Sequence, residues 1–252
     1  MQSVKRIIPA LDIKDGRVVT GISFVNLRDA GDPVECAVAY ERAGADELCL
    51  LDINATHEGR GTMLDVVERV LKAIHIPLTV SGGVRTVEDF DVLLRAGAAK
   101  VCVNSAAVRR PELINEAAQK YGSSRVALAI DAKSNSSGWD VIVNGGRVPM
   151  GMDAIAWAIE AVERGAGEIL LNSVNRDGQK SGYDLALTRA VSEAVNVPVI
   201  ASSGAGALEH FYDAIIEGKA DAVLAATLFH FGELTVGQVK DYLEQRGIPV
   251  RR

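Results

Sequence analysis

Little in this chain can cross-link it or hold a metal. Its 252 residues include three cysteines, Cys36, Cys49 and Cys102, odd in number and unclustered. They predict reduced thiols in the core of a cytoplasmic protein, with no disulfide framework. The four histidines, His57, His75, His210 and His230, show no metal-ligand spacing, so neither a metal nor another cofactor is expected. Aromatic residues make up only 5%, and Trp139 and Trp157 read as packing residues, not as a binding box. No apolar run reaches the roughly 20 residues of a membrane-spanning helix, and the opening MQSVKR lacks a signal-peptide pattern. Positive charge is not in excess. The formal net charge of -6 argues against general affinity for nucleic acid or a membrane surface. No Pro/Ser-rich linker interrupts the chain, so residues 1–252 are expected to form one domain. A chain of this length buries enough apolar surface to fold without a staple.

What is present is a regular alternation. Short runs rich in Val, Ile and Leu fall near 7–12, 47–53, 77–81, 100–104, 126–131, 168–173, 198–202 and 222–226. They are apolar along most of their length, as parallel strands buried on both faces should be. Segments of helical period follow each at 33–43, 62–73, 87–96, 111–121, 153–164, 184–194, 208–217 and 235–246. Glycines at Gly44, Gly97 and Gly165 close three of these helices before the next strand.

The halves repeat. IIPALDIKDGR (7–17) returns as VALAIDAKSN (126–135), with Asp131 in the place of Asp12. IPLTVSGGV (76–84) returns as VPVIASSGA (197–205), and AYERAGADELCLLD (39–52) as AIEAVERGAGEILLN (158–172). Eight βα units in two matched halves, about 1–122 and 123–252, predict a (β/α)₈ TIM barrel; a doubly wound open sheet would not naturally repeat this way.

In such a barrel the chemistry lies at the C-terminal ends of the strands. Asp12 and Asp131 end strands one and five, which face each other across the mouth. As single residues they read as turn caps; as a symmetric pair they suit general acid and general base work. The small stretches Gly82-Gly83 and Asn104-Ser105, at strands three and four, are matched by Ser203-Gly204 and Ala226-Thr227, at strands seven and eight. Small residues and helix starts let backbone N–H groups approach an oxyanion. Two opposed sites imply an elongated substrate with a phosphate at each end. Asp177-Gly178 after strand six adds donors and a third acid near the second site, or forms a plain turn. The long first loop, 14–32, reads as a lid or as a surface hairpin. Arg6, Glu47, Lys100 and Glu168 begin strands one, two, four and six, and predict a ring of ion pairs plugging the barrel bottom.

Taken together, IIPALDIKDGRVV, FVNLRDAGDPVE, ATHEGR, SGGVR, VNSAAV, AIDAK, GAGEILL, NRDGQKSGYD, SSGAG and FHFGE resemble the cyclase subunit of imidazole glycerol phosphate synthase, over essentially the whole chain. The sister isomerase of histidine biosynthesis, which acts on the aminoaldose ProFAR, shares the repeat and both aspartates but matches FVNLRDAGDP, HEGR and FHFGE less well. The resemblance implies a bisphosphorylated ribulosyl substrate, PRFAR, and ammonia delivered through the barrel by a glutaminase subunit bound at its N-terminal face. It implies imidazole glycerol phosphate and AICAR as products. It assigns acid/base catalysis to Asp12 and Asp131. It assigns one phosphate to Gly83, Asn104 and Ser105, and the other to Asp177, Gly178, Gly204, Ala226 and Thr227. It recasts Arg6, Glu47, Lys100 and Glu168 as an ammonia gate. Four positions depart from the family pattern: Ala10, Thr20, Asn172 and Ser203 stand where cysteine, lysine, threonine and glycine are usual. The alternatives are a ProFAR-type sugar isomerase, or a weakened or engineered barrel of the same family that mainly binds a glutaminase, the latter motivated by Thr20.

Overall fold

The computed structural model describes residues 3–22, 25–58 and 61–252. Ser23 and Phe24 in the first loop, Phe24 being the first residue of FVNLRDAGDPVE, and Gly59-Arg60 at the end of ATHEGR, lie outside them.

Eight strands run parallel: β1 (Arg6–Lys14), β4 (Leu48–Asp52), β5 (Leu78–Ser81), β6 (Lys100–Val103), β7 (Val126–Asn135), β10 (Glu168–Ser173), β11 (Val199–Ser202) and β12 (Ala222–Ala225). Each bonds to the next, β12 pairs with β1, and β7 pairs with β10, so the sheet closes on itself. This is the TIM barrel expected from the alternation. Going either way round, β1 and β7 are four strands apart.

Inside and outside follow from the two-residue period of a strand. On β1, Ile7, Leu11 and Ile13 join the large cluster under the helices, while Ile8 and Ala10 join the barrel interior. That interior is lined by small or slender groups, among them Cys49, Cys102, Ala127, Ala129 and Ala222. The three cysteines are unpaired; Cys49 and Cys102 are buried as expected, whereas Cys36, on the first helix, is only half-buried.

The helices form where the sequence places them. α1 (Pro33–Arg42) starts at an Asp32 cap, whose carboxylate accepts from the N–H groups of Val34 and Glu35. α4 (Val87–Ala96) carries a Thr86–Asp89 capping box and ends on Gly97 at φ 113°. The others on the outer face are α3 (Leu64–Ala73), α6 (Glu112–Tyr121), α7 (Ala154–Arg164), α8 (Leu185–Ala194), α9 (Leu208–Ile216) and α11 (Val236–Glu244). Three short helices were not expected: α2 (Ala55–Glu58), α5 (Ser105–Arg109) and α10 (Thr227–His230). They follow barrel strands two, four and eight and are too short to show a helical period.

The first loop is a hairpin. β2 (Arg17–Ile22) turns back on β1 through Asp15-Gly16, both at positive φ, and β3 (Val25–Gly31) pairs with β2. A second hairpin, not anticipated, stands at the equivalent place of the other half: β8 (Gly138–Val143) pairs with β7, and β9 (Val148–Asp153) with β8. Its turn, Asn144-Gly145-Gly146, is left-handed throughout, and that Asn-Gly pair was the available signal. The repeat thus extends into the loops.

Candidate functional site

The mouth of the barrel carries the two aspartates. Asp12 ends the inward series Arg6, Ile8, Ala10 on β1. Asp131 occupies the matching place on β7. Their surroundings differ. Burial pushes the Asp12 carboxyl up to about 7, and the negative charge of Asp177 adds to this. No described residue hydrogen-bonds the Asp12 carboxylate. Burial and Asp177 raise Asp131 as well, but Asn172 and Asn104 oppose the rise. Asn172 Nδ2 donates to Asp131 Oδ1 at 2.8 Å, and Asn104 Nδ2 donates to Oδ2 at 3.0 Å. Asn172 was visible in the sequence only as a departure from a family pattern; its contact to Asp131 needed the strand register.

The glycine-small stretches lie around these acids. Gly82 and Gly83 have φ of 90° and 74°, and at the equivalent positions Ser203 and Gly204 have 73° and 103°. A Cβ on Gly82 would stand 2.2 Å from the Asp52 carbonyl oxygen, and one on Gly204 would stand 2.2 Å from that of Gly182. The backbone is therefore pressed against neighbouring main chain at both places. Asn104 (φ -136°, ψ -100°) and Ala226 (φ -121°, ψ -75°) share an unusual conformation and launch α5 and α10. The first N–H groups of those helices have no partner within the helix. Gly178 also has positive φ, in the loop after β10, and the charge of its neighbour Asp177 reaches both Asp12 and Asp131.

Two of the small residues are engaged by the hairpins. The Ser105 hydroxyl accepts from the Asn144 N–H at 3.0 Å, at the turn of the second hairpin. The Thr227 hydroxyl lies 2.7 Å from that of Thr20, which is buried on the first hairpin. Each hairpin is thus tied to one of the two small-residue clusters. Behind α10, the Tyr40 hydroxyl meets His230 Nδ1 at 2.5 Å, and burial holds His230 down at about 4, so it stays neutral.

At the other end, Arg6 bonds Glu47 at 2.8 Å and Glu168 at 2.6 Å, while Lys100 bonds the same two at 3.1 and 2.7 Å. The four charges form the closed ring expected from the strand starts. Burial acts to raise Glu47, but Arg6 and Lys100 overcome it and hold the carboxyl below its usual value. From Arg6 to Asp12 the strand rises about 20 Å. Among the described residues there is no cluster of His, Cys, Asp or Glu suited to a metal, and no helix is long and apolar enough to cross a membrane.

Residues 6–235 match the family model described as histidine biosynthesis protein. The chain belongs to that family. The family takes in both the isomerase and the cyclase of the pathway, so the chain is an enzyme of histidine biosynthesis. Its matched span runs from the first barrel strand to the start of α11, and so includes both aspartates and all four ring residues.

Proposed function

We propose that this histidine biosynthesis enzyme is the ammonia-dependent cyclase, converting PRFAR and ammonia to imidazole glycerol phosphate and AICAR. The observation that carries this reading is the closed ring Arg6–Glu47–Lys100–Glu168 beneath an interior of alanine, cysteine and aliphatic side chains. An isomerase with one substrate entering at the mouth needs no such passage. A cyclase needs a route for a small neutral nucleophile from the bottom of the barrel, where a glutaminase would dock.

At the mouth, the raised Asp12 keeps its proton near neutral pH and serves as the general acid. Asp131 is the general base. Ammonia arriving from below attacks the ketose carbonyl; Asp131 takes a proton from the attacking nitrogen and Asp12 gives one to the oxygen, and a second such transfer expels that oxygen as water and leaves an imine. The imine nitrogen then closes on the amidine carbon, whose bond to the AICAR nitrogen breaks; that nitrogen leaves protonated as the AICAR amine, and loss of a ring-carbon proton completes the imidazole. The clusters Gly82, Gly83, Asn104, Ser105 and Asp177, Gly178, Ser203, Gly204, Ala226, Thr227 hold the two phosphates.

The sister isomerase would use both aspartates equally well. Thr20, bonded to Thr227, brings a neutral hydroxyl where a lysine would bring a charge to the substrate, and motivates the other alternative, a weakened barrel that mainly binds a glutaminase. The deciding measurement is consumption of PRFAR with added ammonium salt, beside conversion of ProFAR without it. Ammonium-dependent formation of AICAR supports the cyclase. Ketose formation from ProFAR, with PRFAR untouched at every ammonium concentration, replaces it with the isomerase.

A further inference from the structure

The two halves of the barrel place their aspartates alike and then treat them differently. On β4, Leu51 stands in register with Asp12; on β10, Asn172 stands in register with Asp131. These are equivalent positions, each four residues beyond a ring glutamate, Glu47 or Glu168. On the other side of each acid, Ala226 follows β12 and Asn104 follows β6, again at equivalent positions. So Asp12 is flanked by leucine and alanine, and Asp131 by two asparagines. Each asparagine gives an N–H to a different oxygen of Asp131, one from each neighbouring strand.

We infer that Asn172, acting with Asn104, is a positioning residue that fixes the plane of the Asp131 carboxylate and favours its charged form, and that Leu51 at the matching position leaves Asp12 to hold a proton. The inference rests on the reading that both aspartates are catalytic. Its physical basis is simple. A buried carboxylate that accepts hydrogen bonds is stabilised as the anion, and one faced by hydrocarbon is not. An exact two-fold site would give two identical acids competing for one role. Leucine against asparagine at one register position separates them.

The other groups facing the pair do not produce this difference. Asp177, in the segment after β10, raises both. Cys49 on β4 and Cys102 on β6 are thiols whose own ionisation burial pushes up, so each stays neutral beside its aspartate. From β8, the residue in register with Asp131 is Ile142.

The test exchanges the two positions. Carboxyl ¹³C NMR titrations of Asp12 and Asp131 are recorded on the free, full-length protein, on Asn172→Leu and on Leu51→Asn. Asn172→Leu should raise the titration of Asp131 by roughly one pH unit, the scale of one hydrogen bond to a buried carboxylate, and leave Asp12 in place. Leu51→Asn should lower Asp12 by a similar amount. Asn172→Gln, which retains the amide, should restore part of the Asp131 shift. If Asn172→Leu fails to fold, Leu51→Asn and Asn104→Leu carry the test. Wild-type aspartates that titrate together, or variants that move neither by more than about 0.3 unit, overturn the inference. Failure of the catalytic reading looks different: the titrations behave as stated, but Asp131→Asn keeps its turnover.

Discussion

Ser203 and Gly82 occupy the same place in the two halves and share a left-handed backbone, at φ 73° and 90°. Only one of them is glycine. The serine therefore carries conformational strain that its counterpart avoids. Ser203→Gly is expected to stabilise the protein by about 0.5–1 kcal/mol, the relief of strain being partly offset by the freer unfolded chain. Gly82→Ala should destabilise by more than about 3 kcal/mol, because its Cβ meets the Asp52 carbonyl and main chain must shift. Urea midpoints at constant slope would measure both.

The acid pair gives the sharpest kinetic expectation. Asp12→Asn and Asp131→Asn should each lower kcat at least about a hundredfold on whichever substrate is turned over, the scale of lost general acid or base catalysis. A loss under about threefold in both would remove their assigned roles. Circular dichroism of the variants separates this from misfolding.

Asp12 also links stability to pH. Its folded value of about 7 lies above the ordinary carboxyl value of 3.8, so between these limits the folded chain binds more protons than the unfolded one. Stability from this group is full below about pH 4 and is lost as pH rises toward 7. Asp12→Asn removes the penalty. Its gain over wild type should be small at pH 4 and grow to something on the order of 4 kcal/mol at pH 8, read from denaturation at the two pH values. For turnover the sign is the same: a general acid titrating near 7 makes wild-type kcat/KM fall with rising pH above that point.

Glu168 holds two cations at once, Arg6 and Lys100, and is mostly buried. Glu168→Gln leaves both with a single charged partner, Glu47. It should lower stability by about 2–4 kcal/mol, toward the effect of breaking a buried ion pair from one side. The equivalent change at Glu193, which also holds two cations, Arg189 and Lys219, but on the exposed surface, should fall within about 1 kcal/mol. Equal effects in the two places would show that the ring contributes no more than a surface pair.

Much of the architecture was legible from local pattern. Continuous apolar runs separated by helical periods, repeated in two halves, lead to a barrel because parallel strands buried on both faces admit few alternatives. The second hairpin escaped because β9 is almost wholly exposed and carries no apolar alternation; only Asn144-Gly145-Gly146 marked its turn. The short helices α5 and α10 escaped for want of length. Within the site, both aspartates and the paired small stretches followed from the repeat. Their ties to Asn172, Thr20 and Asn144 did not.

The sequence by itself determined the succession of strands and helices, the placing of Arg6 and Asp12 at opposite ends of the first strand, and the duplicated placement of Asp12 and Asp131. These follow from continuous apolar runs, the helical period of 3.6 residues and self-similarity, which a chain carries along its length. Only the tertiary structure decided what each aspartate faces. Leu51 beside Asp12, and Asn172 with Asn104 beside Asp131, are meetings between strands joined by register and barrel closure. A carboxyl takes its proton affinity from those neighbours in space, and the chain alone does not say who they are.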